Sequence, residues 1–215
     1  MANRVAIIDY GMGNIHSVAK ALEFAGDDGA RIHVTHDAEE IRRAERVVLP
    51  GVGAIRDCMA EIARLGLDEV IHEAARSKPF LGICVGMQAL FEYSEENEGT
   101  PCLGILPGTV RAFAPDMSDP VNGERLKIPH MGWNQVHQTV PHPLWRGIEQ
   151  ETRFYFVHSY YVTPAETELT AATTHYGHAF TSAVARENIF AVQFHPEKSQ
   201  RAGLTLYANF LRWNG

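Results

Sequence analysis

The sequence predicts an α/β fold in which helices flank a central, mostly parallel sheet with an antiparallel extension. Three observations support this prediction. Short apolar runs bounded by turn residues are typical of strands that are buried on both faces of a sheet. Helical patterns separate the early runs, and such alternation indicates right-handed βαβ units. From about residue 109 to residue 194 the chain has little helical periodicity and much strand propensity, which indicates the antiparallel part.

Each predicted element rests on its own pattern. Near-continuous apolar residues predict buried strands at 5–8, 47–49, 80–83 and 190–194. Apolar residues at helical spacing predict helices over 14–25, 54–65 and 67–76. Strand-forming residues predict further strands at 153–162, 169–175 and 179–186, whereas 115–125 is a polar loop. The chain closes with a predicted helix over about 199–213, for which Ser199 is a candidate N-cap residue.

The composition narrows the possible classes of function. The chain has 215 residues with 19 basic and 26 acidic side chains, and its net charge of −7 argues against non-specific binding to nucleic acids or anionic membranes. No apolar stretch reaches the ~18 residues that a membrane span needs, and the apolar run that Asp9 ends is not a signal peptide. Three cysteines at this length do not indicate a disulfide scaffold. We therefore expect one domain over residues 1–215 and a cytoplasmic protein.

The segment Gly82-Ile83-Cys84-Val85-Gly86 is the sharpest local signal for chemistry. It lies between a strand-like run and a helix-like run, so the residue at the turn is strained and exposed above the sheet, and glycines let the backbone pass close by. A cysteine at a helix N-terminus is favoured as the nucleophilic thiolate. The alternative is a buried core cysteine, the commonest state of free cysteine. Cys58 and Cys102 have no such context.

A cysteine nucleophile needs a base, and the base needs an orienting partner. His195 follows an apolar strand, and Glu197 comes two residues later in His-Pro-Glu. The glutamate can accept a hydrogen bond from one imidazole nitrogen and leave the other facing the thiol. A lone His-Pro-Glu is more often a surface turn, but beside a cysteine elbow the catalytic interpretation is favoured.

The turn Pro50-Gly51-Val52-Gly53 is a candidate oxyanion hole, because it follows the strand at 47–49 and can direct backbone N–H groups into a crevice. An ordinary β–α turn is the alternative. A phosphate loop is disfavoured because the segment lacks the Gly-Lys-Ser/Thr ending. No cluster of His, Cys, Asp or Glu has the spacing of a metal site, so we expect no cofactor.

These three motifs, in this order, resemble the triad-type (class I) glutamine amidotransferases. Further segments resemble the glutaminase subunits of imidazole glycerol phosphate synthase, and the resemblance covers nearly the whole chain. They are Asp9-Tyr-Gly-Met-Gly-Asn14, Met87-Gln-Ala-Leu-Phe91, Pro129-His-Met-Gly-Trp-Asn134 and Tyr155-Phe-Val-His-Ser-Tyr160. The resemblance implies a flavodoxin-like fold with a mostly parallel sheet and an added antiparallel part.

The resemblance also implies a reaction and a partner. Glutamine would be hydrolysed to glutamate and ammonia without a cofactor. The ammonia would pass to a synthase (cyclase) subunit of (β/α)8-barrel fold, which forms imidazole glycerol phosphate and an aminoimidazole carboxamide ribotide in histidine biosynthesis. The two proteins would form a heterodimer.

Roles follow from the resemblance for individual residues. Cys84, His195 and Glu197 would form the catalytic triad. Substrate and oxyanion contacts are expected from Gly51, Val52, Gly53, Val85, Gln88, Glu96, His158, Ser159 and Tyr160. Glu96 lies in a run of acidic residues, and a solvated surface acid is an equally good interpretation of it.

The resemblance places a second set of residues on the docking face for the synthase. They are Tyr10, Met12, Asn14, His130, Met131, Trp133, Asn134 and Lys198. Large apolar side chains such as Met131 and Trp133 more often belong to a core, although aromatic residues and methionine are also enriched at interfaces. Lys198 has the alternative of an ordinary surface lysine.

Two other functions remain as alternatives. The chain could be a non-catalytic regulatory subunit on the same fold, which an intact Cys84, His195 and Glu197 set disfavours. It could also be the glutaminase of another pathway, such as pyridoxal phosphate or anthranilate synthesis.

Overall fold

The computed structural model describes residues 3–26, 29–119 and 123–215. It confirms the α/β fold with a mostly parallel central part and an antiparallel extension. Residues 120–122 of the predicted polar loop lie outside the described residues. In the described parts of the chain, no helix is both long and apolar enough to cross a membrane.

The elements follow the sequence patterns closely. The helices are α1 Ile15–Ala25, α2 Ala38–Arg43, α3 Ile55–Arg64, α4 Asp68–Ser77, α5 Val85–Gln88 and α6 Gln200–Arg212. The strands are β1 Asn3–Ile8, β2 Ala30–Thr35, β3 Arg46–Gly51, β4 Phe80–Cys84, β5 Tyr93–Ser94, β6 Thr100–Pro101, β7 Gly108–Ala112, β8 His130–Gln135, β9 His137–Gln138, β10 Arg153–His158, β11 Tyr160–Pro164, β12 Thr170–Tyr176, β13 His178–Arg186 and β14 Ile189–Val192. Single turns of 3-10 helix cover Glu96–Glu98, Pro143–Trp145, Thr167–Leu169 and Pro196–Lys198.

The parallel half of the main sheet brings three sequence motifs to one edge. Its strands lie in the order β2-β1-β3-β4-β14, all parallel, and β4 lies between β3 and β14. Leu49 of β3 and Ala191 of β14 both pair with Gly82 of β4. The carboxyl ends of these strands therefore meet, and ligands of open α/β sheets bind at such an edge.

The antiparallel half continues the same sheet from β14 through β13, β11 and β7. A separate two-stranded sheet pairs β10 with β8, so that Tyr155 lies opposite Trp133 and His158 opposite His130. The predicted strand at 153–162 is thus two strands that break at Ser159 and join different sheets. Local strand propensity does not distinguish one long strand from two that diverge.

In the first half of the chain β2 and α2 were not predicted, and strands β5 to β9 were not predicted individually. Strand β2 lies at the edge of the sheet, and five of its six residues are exposed or partly exposed. It therefore lacks the continuous apolar run of its neighbours. Helix α2 has only six residues and is capped by Asp37, whose carboxylate accepts from the backbone N–H of Glu39 and Glu40.

Ser199 is the N-cap residue of α6, as predicted, but its side chain makes no capping hydrogen bond to the helix. Instead the Oγ–H donates to the carbonyl of His195 at 2.7 Å, and Oγ accepts from the backbone N–H of Tyr155 at 3.0 Å. The serine therefore ties the start of the last helix to β10, a contact between distant segments that overrides its local preference.

Gly86→Ala should destabilise the fold, because a Cβ at this position would collide with the Leu49 carbonyl oxygen of β3. Such overpacking against backbone typically costs about 3 kcal/mol. Chemical denaturation measures the free energy of unfolding. Gly29→Ala is the matched control, since a Cβ there meets nothing within 4 Å. Equal stability of the two variants would contradict the close approach of α5 to β3.

Candidate active site

Cys84 stands at a strained turn between β4 and α5. Its φ of 55° lies in the left-handed region, which non-glycine residues seldom adopt. Gly86 lets α5 pack directly on the backbone of β3. A Cβ added to Gly82 would lie 3.0–3.2 Å from atoms of Ala191, Gly86 and Leu90. The two glycines and the strained backbone agree with the geometry that the Gly-x-Cys-x-Gly pattern predicts, but Cys84, which was expected to be exposed, is buried with 4% of its surface exposed.

His195 and Glu197 lie together at the same sheet edge. The Nδ1 of His195 is 2.8 Å from Oε1 of Glu197, and both side chains are buried, with 2% and 1% of their surfaces exposed. Asn14 donates from Nδ2 to the same carboxylate oxygen at 3.4 Å. His195 Nε2 has no hydrogen-bond partner among the described residues. Since Cys84 and His195 line one pocket, the free ring nitrogen is available to the sulfur and to a bound ligand.

The charge state of His195 depends on its two neighbours. Burial by itself lowers the pKa of His195, but the Cys84 sulfur and the Glu197 carboxylate outweigh this effect and raise the pKa to about 10. The raised pKa means that the imidazolium form of His195 is favoured beside the Cys84 sulfur and the Glu197 carboxylate. Cys84 and His195 are thus arranged as a nucleophile beside a proton donor.

The backbone of the His-Pro-Glu turn is held from two sides. The N–H of His195 donates to the carbonyl of Tyr155 at 2.9 Å, and its carbonyl accepts from Ser199 Oγ. Gly203 of α6 packs on this turn so closely that a Cβ would collide with the Pro196 carbonyl oxygen. The imidazole therefore has little freedom to leave its position beside Cys84.

The turn that follows β3 lies above α5. A Cβ on Gly51 would come within 2.5–2.9 Å of Tyr10 Oη, Gly86 N and Val85 Cβ, so only glycine fits there. Gly53 has a φ of 92°, which also favours glycine. Tyr10 donates from its hydroxyl to the Pro50 carbonyl at 2.8 Å and thereby anchors the turn.

A pocket of about 270 Å³ opens at this edge, and Cys84 and His195 lie in its wall. Most of the residues for which substrate contacts were expected also line it. They are Val52, Gly53, Val85, Gln88, Glu96, His158, Ser159 and Tyr160. Gly51 is the exception, because it lies buried behind the turn. The pocket also includes Pro129 and Val157, which were not expected.

Glu96 is not simply a solvated surface acid. It begins a 3-10 turn, and its Oε2 accepts from the backbone N–H of Ile55 at 3.0 Å, at the first residue of α3. A carboxylate is favoured at a helix N-terminus. This contact places the Glu96 side chain at the pocket wall, although it stays partly exposed.

A buried glutamine next to the pocket was missed. Gln193 is fully buried, its Oε1 accepts from Gln88 Nε2 at 3.0 Å, and its Nε2 lies 3.6 Å from the sulfur of Cys84. The available signal was that Gln193 is the one polar residue in the apolar run from Phe190 to Phe194.

A chain of hydrogen bonds between histidines was also missed. Asn134 Nδ2 donates to His130 Nε2, which leaves His130 Nδ1 to donate to His158 Nε2 at 2.9 Å, and His158 Nδ1 donates to the Tyr160 carbonyl at 2.8 Å. Every ring nitrogen is satisfied with neutral imidazoles. Burial lowers the pKa of His130 to about 4 and that of His158 to about 3.

The predicted docking residues divide into exposed and buried ones. Met131 and Trp133 are 62% and 43% exposed, and Lys198 is exposed with its ammonium 5.6 Å from the ring centre of Tyr155. The rings of Trp133 and Tyr155 are 6.2 Å apart, so these side chains form one surface. We call Met131, Trp133, Tyr155 and Lys198 the aromatic surface.

Two of the predicted docking residues, Tyr10 and His130, have buried side chains. Tyr10 is 1% and His130 is 3% exposed. Met12, Asn14 and Asn134 are only partly exposed. Both buried rings are polar groups that found partners inside the protein, which a sequence pattern alone does not reveal. Within the described ranges, no three His, Cys, Asp or Glu side chains are grouped so that they could hold a metal ion.

Comparison with known proteins gives a full-length match. A family model described as "Glutamine amidotransferase class-I" matches residues 6–213. Imidazole glycerol phosphate synthase subunit HisH from Nitrosococcus oceani is 62% identical over 211 residues, which cover 98% of this chain and 98% of that protein. Imidazole glycerol phosphate synthase subunit HisH 1 from Pseudomonas aeruginosa is 58% identical over 215 residues, which cover 100% of this chain and 99% of that protein.

Solved structures share the fold at much lower identity. A chain of PurLQS from Thermotoga maritima aligns with a TM-score of 0.74 and 20% identity, covering 99% of both chains. A glutamine amidotransferase from Thermotoga maritima aligns with a TM-score of 0.60 and 16% identity, covering 94% of this chain and 79% of that chain. At these identities the similarity supports the fold alone.

The histidine pair should make the protein sensitive to acid. In the unfolded chain, imidazoles bind protons below about pH 6.5, whereas His130 and His158 stay neutral in the folded chain down to about pH 4 and about pH 3. The stability they contribute is therefore present above pH 6.5 and is lost as the pH falls. Each extra proton bound by the unfolded chain lowers the free energy of unfolding by about 1.4 kcal/mol per pH unit.

Urea denaturation at a series of pH values between 7 and 4 measures this dependence. His158→Gln should reduce the slope, because one proton uptake by the unfolded chain is removed while those of His130 and His142, whose pKa burial also lowers to about 4, remain. His16→Gln, which changes an exposed residue of α1, should leave the slope unchanged. An unchanged slope in the His158 variant would contradict a neutral, buried His158.

Proposed function

The chain belongs to the class-I glutamine amidotransferase family, and we propose that it is the glutaminase subunit of imidazole glycerol phosphate synthase. The proposed reaction is hydrolysis of glutamine to glutamate and ammonia. The observation that supports it best is the joint position of Cys84, His195 and Glu197 at one sheet edge, beside a pocket sized for an amino acid.

In the first step, the Cys84 thiolate attacks the carboxamide carbon of glutamine. The oxygen of that group becomes negative and would be stabilised by backbone N–H groups of Val52 or Gly53 and of Val85, which line the pocket. His195 then gives its proton to the departing nitrogen. Ammonia leaves, and a thioester joins the glutamyl group to Cys84.

In the second step, water attacks the thioester. His195, now neutral, takes the proton of the water, and Glu197 stabilises the imidazolium that forms again. The C–S bond breaks, and glutamate leaves with the thiolate restored. One water is consumed for each ammonia produced, so the two steps balance.

We further propose that the ammonia passes to a synthase partner of (β/α)8-barrel fold, docked on the aromatic surface. Methionine, tryptophan and tyrosine are enriched at protein interfaces, and Met131 and Trp133 are exposed here beside Tyr155. Tyr155 belongs to this surface, and its carbonyl holds the N–H of His195. A bound partner would therefore contact the same strand, β10, that positions the base.

Cys84→Ala should abolish glutamine-dependent product formation by the complex, because the nucleophile is lost. Synthesis from added ammonium salt should remain, since that reaction takes place on the partner. Glutamate release and formation of the synthase product, measured with either nitrogen source, test both points.

Cys102→Ala is the matched control for this experiment, because the Cys102 thiol donates to the Thr100 carbonyl and does not line the pocket. Loss of both activities in the Cys84 variant would indicate a structural role for that cysteine. Retained glutamine hydrolysis would overturn the proposed mechanism.

The glutaminase should be slow in the isolated chain and faster in the complex. The chain holds an intact triad and a docking surface, and unpaired hydrolysis would waste glutamine. Glutaminase assays with and without the histidine-pathway synthase and its nucleotide substrate measure the difference. Full activity of the lone chain would contradict activation by the partner.

Trp133→Ala should weaken binding of the synthase by about 1–3 kcal/mol, roughly a 5- to 150-fold rise in Kd, since buried tryptophans dominate interface energies. Isothermal titration calorimetry measures the affinity. Phe24→Ala is the control, because Phe24 is 76% exposed on α1, outside the aromatic surface. Unchanged affinity for the Trp133 variant would place the interface elsewhere.

A further inference from the structure

Gln193 lies just behind the pocket and touches two residues of the proposed machinery. It is fully buried and is not part of the pocket wall. One side of its amide meets Gln88, and the other side meets the sulfur of Cys84. A fully buried amide must satisfy its polar atoms within the protein, so its two contacts fix its position.

The backbone carbonyl of Tyr160 determines how these amides are oriented. Gln88 approaches that carbonyl at 3.1 Å. A carbonyl oxygen only accepts hydrogen bonds, so the Gln88 atom next to it must be Nε2. The second hydrogen of Nε2 is donated to Gln193, whose facing atom must therefore be Oε1. The remaining amide atom of Gln193, Nε2, then faces Cys84.

The reversed arrangement has no comparable set of bonds. If Gln88 turned by 180°, its Oε1 would face the Tyr160 carbonyl and the Gln193 Oε1, and two hydrogen bonds would become repulsive contacts. Turning Gln193 as well would restore one bond but would direct its carbonyl oxygen at the thiolate. A buried acceptor that faces another acceptor costs free energy.

We propose that Gln193 is a positioning residue that holds Gln88 with Oε1 towards the substrate and donates to the Cys84 sulfur. This inference rests on the proposed glutaminase function. Both hydrogens of Gln88 Nε2 are already used, so only its acceptor oxygen is left for the pocket. That oxygen can accept from the –NH2 of a glutamine carboxamide.

The arrangement gives the pocket a preference for an amide over groups without N–H. An ester or a carboxylate of the same size offers only oxygen lone pairs to Gln88 Oε1. A site that hydrogen-bonds an N–H rejects analogues that lack it, because a buried acceptor is left unpaired. The same repulsion acts on the carboxylate of the product, glutamate, and favours its release.

The test is the ratio of kcat/KM for glutamine to that for the γ-methyl ester of glutamate, measured in the complex with the synthase. Both substrates form the same thioester and release ammonia or methanol. In the Gln193→Met variant, turning the Gln88 amide breaks one hydrogen bond instead of two. The preference for an N–H-bearing substrate is therefore weaker, and the ratio should fall about fivefold. Partial unfolding lowers both rates and leaves the ratio unchanged.

A second measurement does not depend on glutamine turnover. Alkylation of Cys84 by iodoacetamide at fixed pH should be slower in Gln193→Met, because the sulfur loses a donor. Ser182→Ala is the matched control, since Ser182 is also fully buried in the adjacent strand and its hydroxyl has no partner among the described residues. This control should change neither the ratio nor the alkylation rate.

Gln88→Met should also lower the amide-to-ester ratio, and in its background Gln193→Met should lower the ratio no further. A wild-type ratio and alkylation rate in Gln193→Met would overturn the inference, as would an equal fall in the Ser182 control. Absence of glutamine hydrolysis by the wild-type complex would instead contradict the proposed function, and the alkylation comparison would still report on Gln193.

Discussion

The close approach of Gly86 to the Leu49 carbonyl is the contact on which the site depends. It places α5 directly on the end of β3, with no room for a side chain between them. Cys84 must therefore turn within one residue, and it does so with a left-handed φ of 55°. The strain is offset by the packing of β4 between β3 and β14, whose ends lead into the turn at 50–53 and to His195.

Three buried histidines lie in two different electrostatic environments. His130 and His158 are buried among aromatic rings and each other, with no counter-charge, so burial keeps them neutral. His195 is equally buried but lies between a carboxylate and a sulfur, so its pKa moves in the opposite direction. The neutral pair joins β8 to β10, whereas a charged His195 suits the acid and base role that we propose for it. The nearest charge, rather than exposure, separates these roles.

Strand β10 connects the outside of the molecule to the site. Its Tyr155 contributes a ring to the aromatic surface, while its backbone carbonyl and N–H hold His195 and Ser199. Three residues later, His158 lines the pocket. Because β10 pairs with β8 in a separate two-stranded sheet, its position is tied to the exposed Met131 and Trp133. The aromatic surface is therefore connected to His195 through one strand and one backbone hydrogen bond.

Local sequence patterns were enough to predict the fold class, the main strands and helices, and the segments that bring Cys84, His195 and Glu197 to one sheet edge. Apolar periodicity, a glycine-flanked cysteine and a histidine at a strand end are each visible within a few residues. Only the tertiary structure determines that Tyr10 is buried, that Ser199 links the start of α6 to β10, and that Gln193 contacts Gln88 and Cys84. Each of these depends on the partner that folding brings next to a polar group, often more than a hundred residues away. A buried polar group must take the partners that its neighbours leave available, and no local pattern records them.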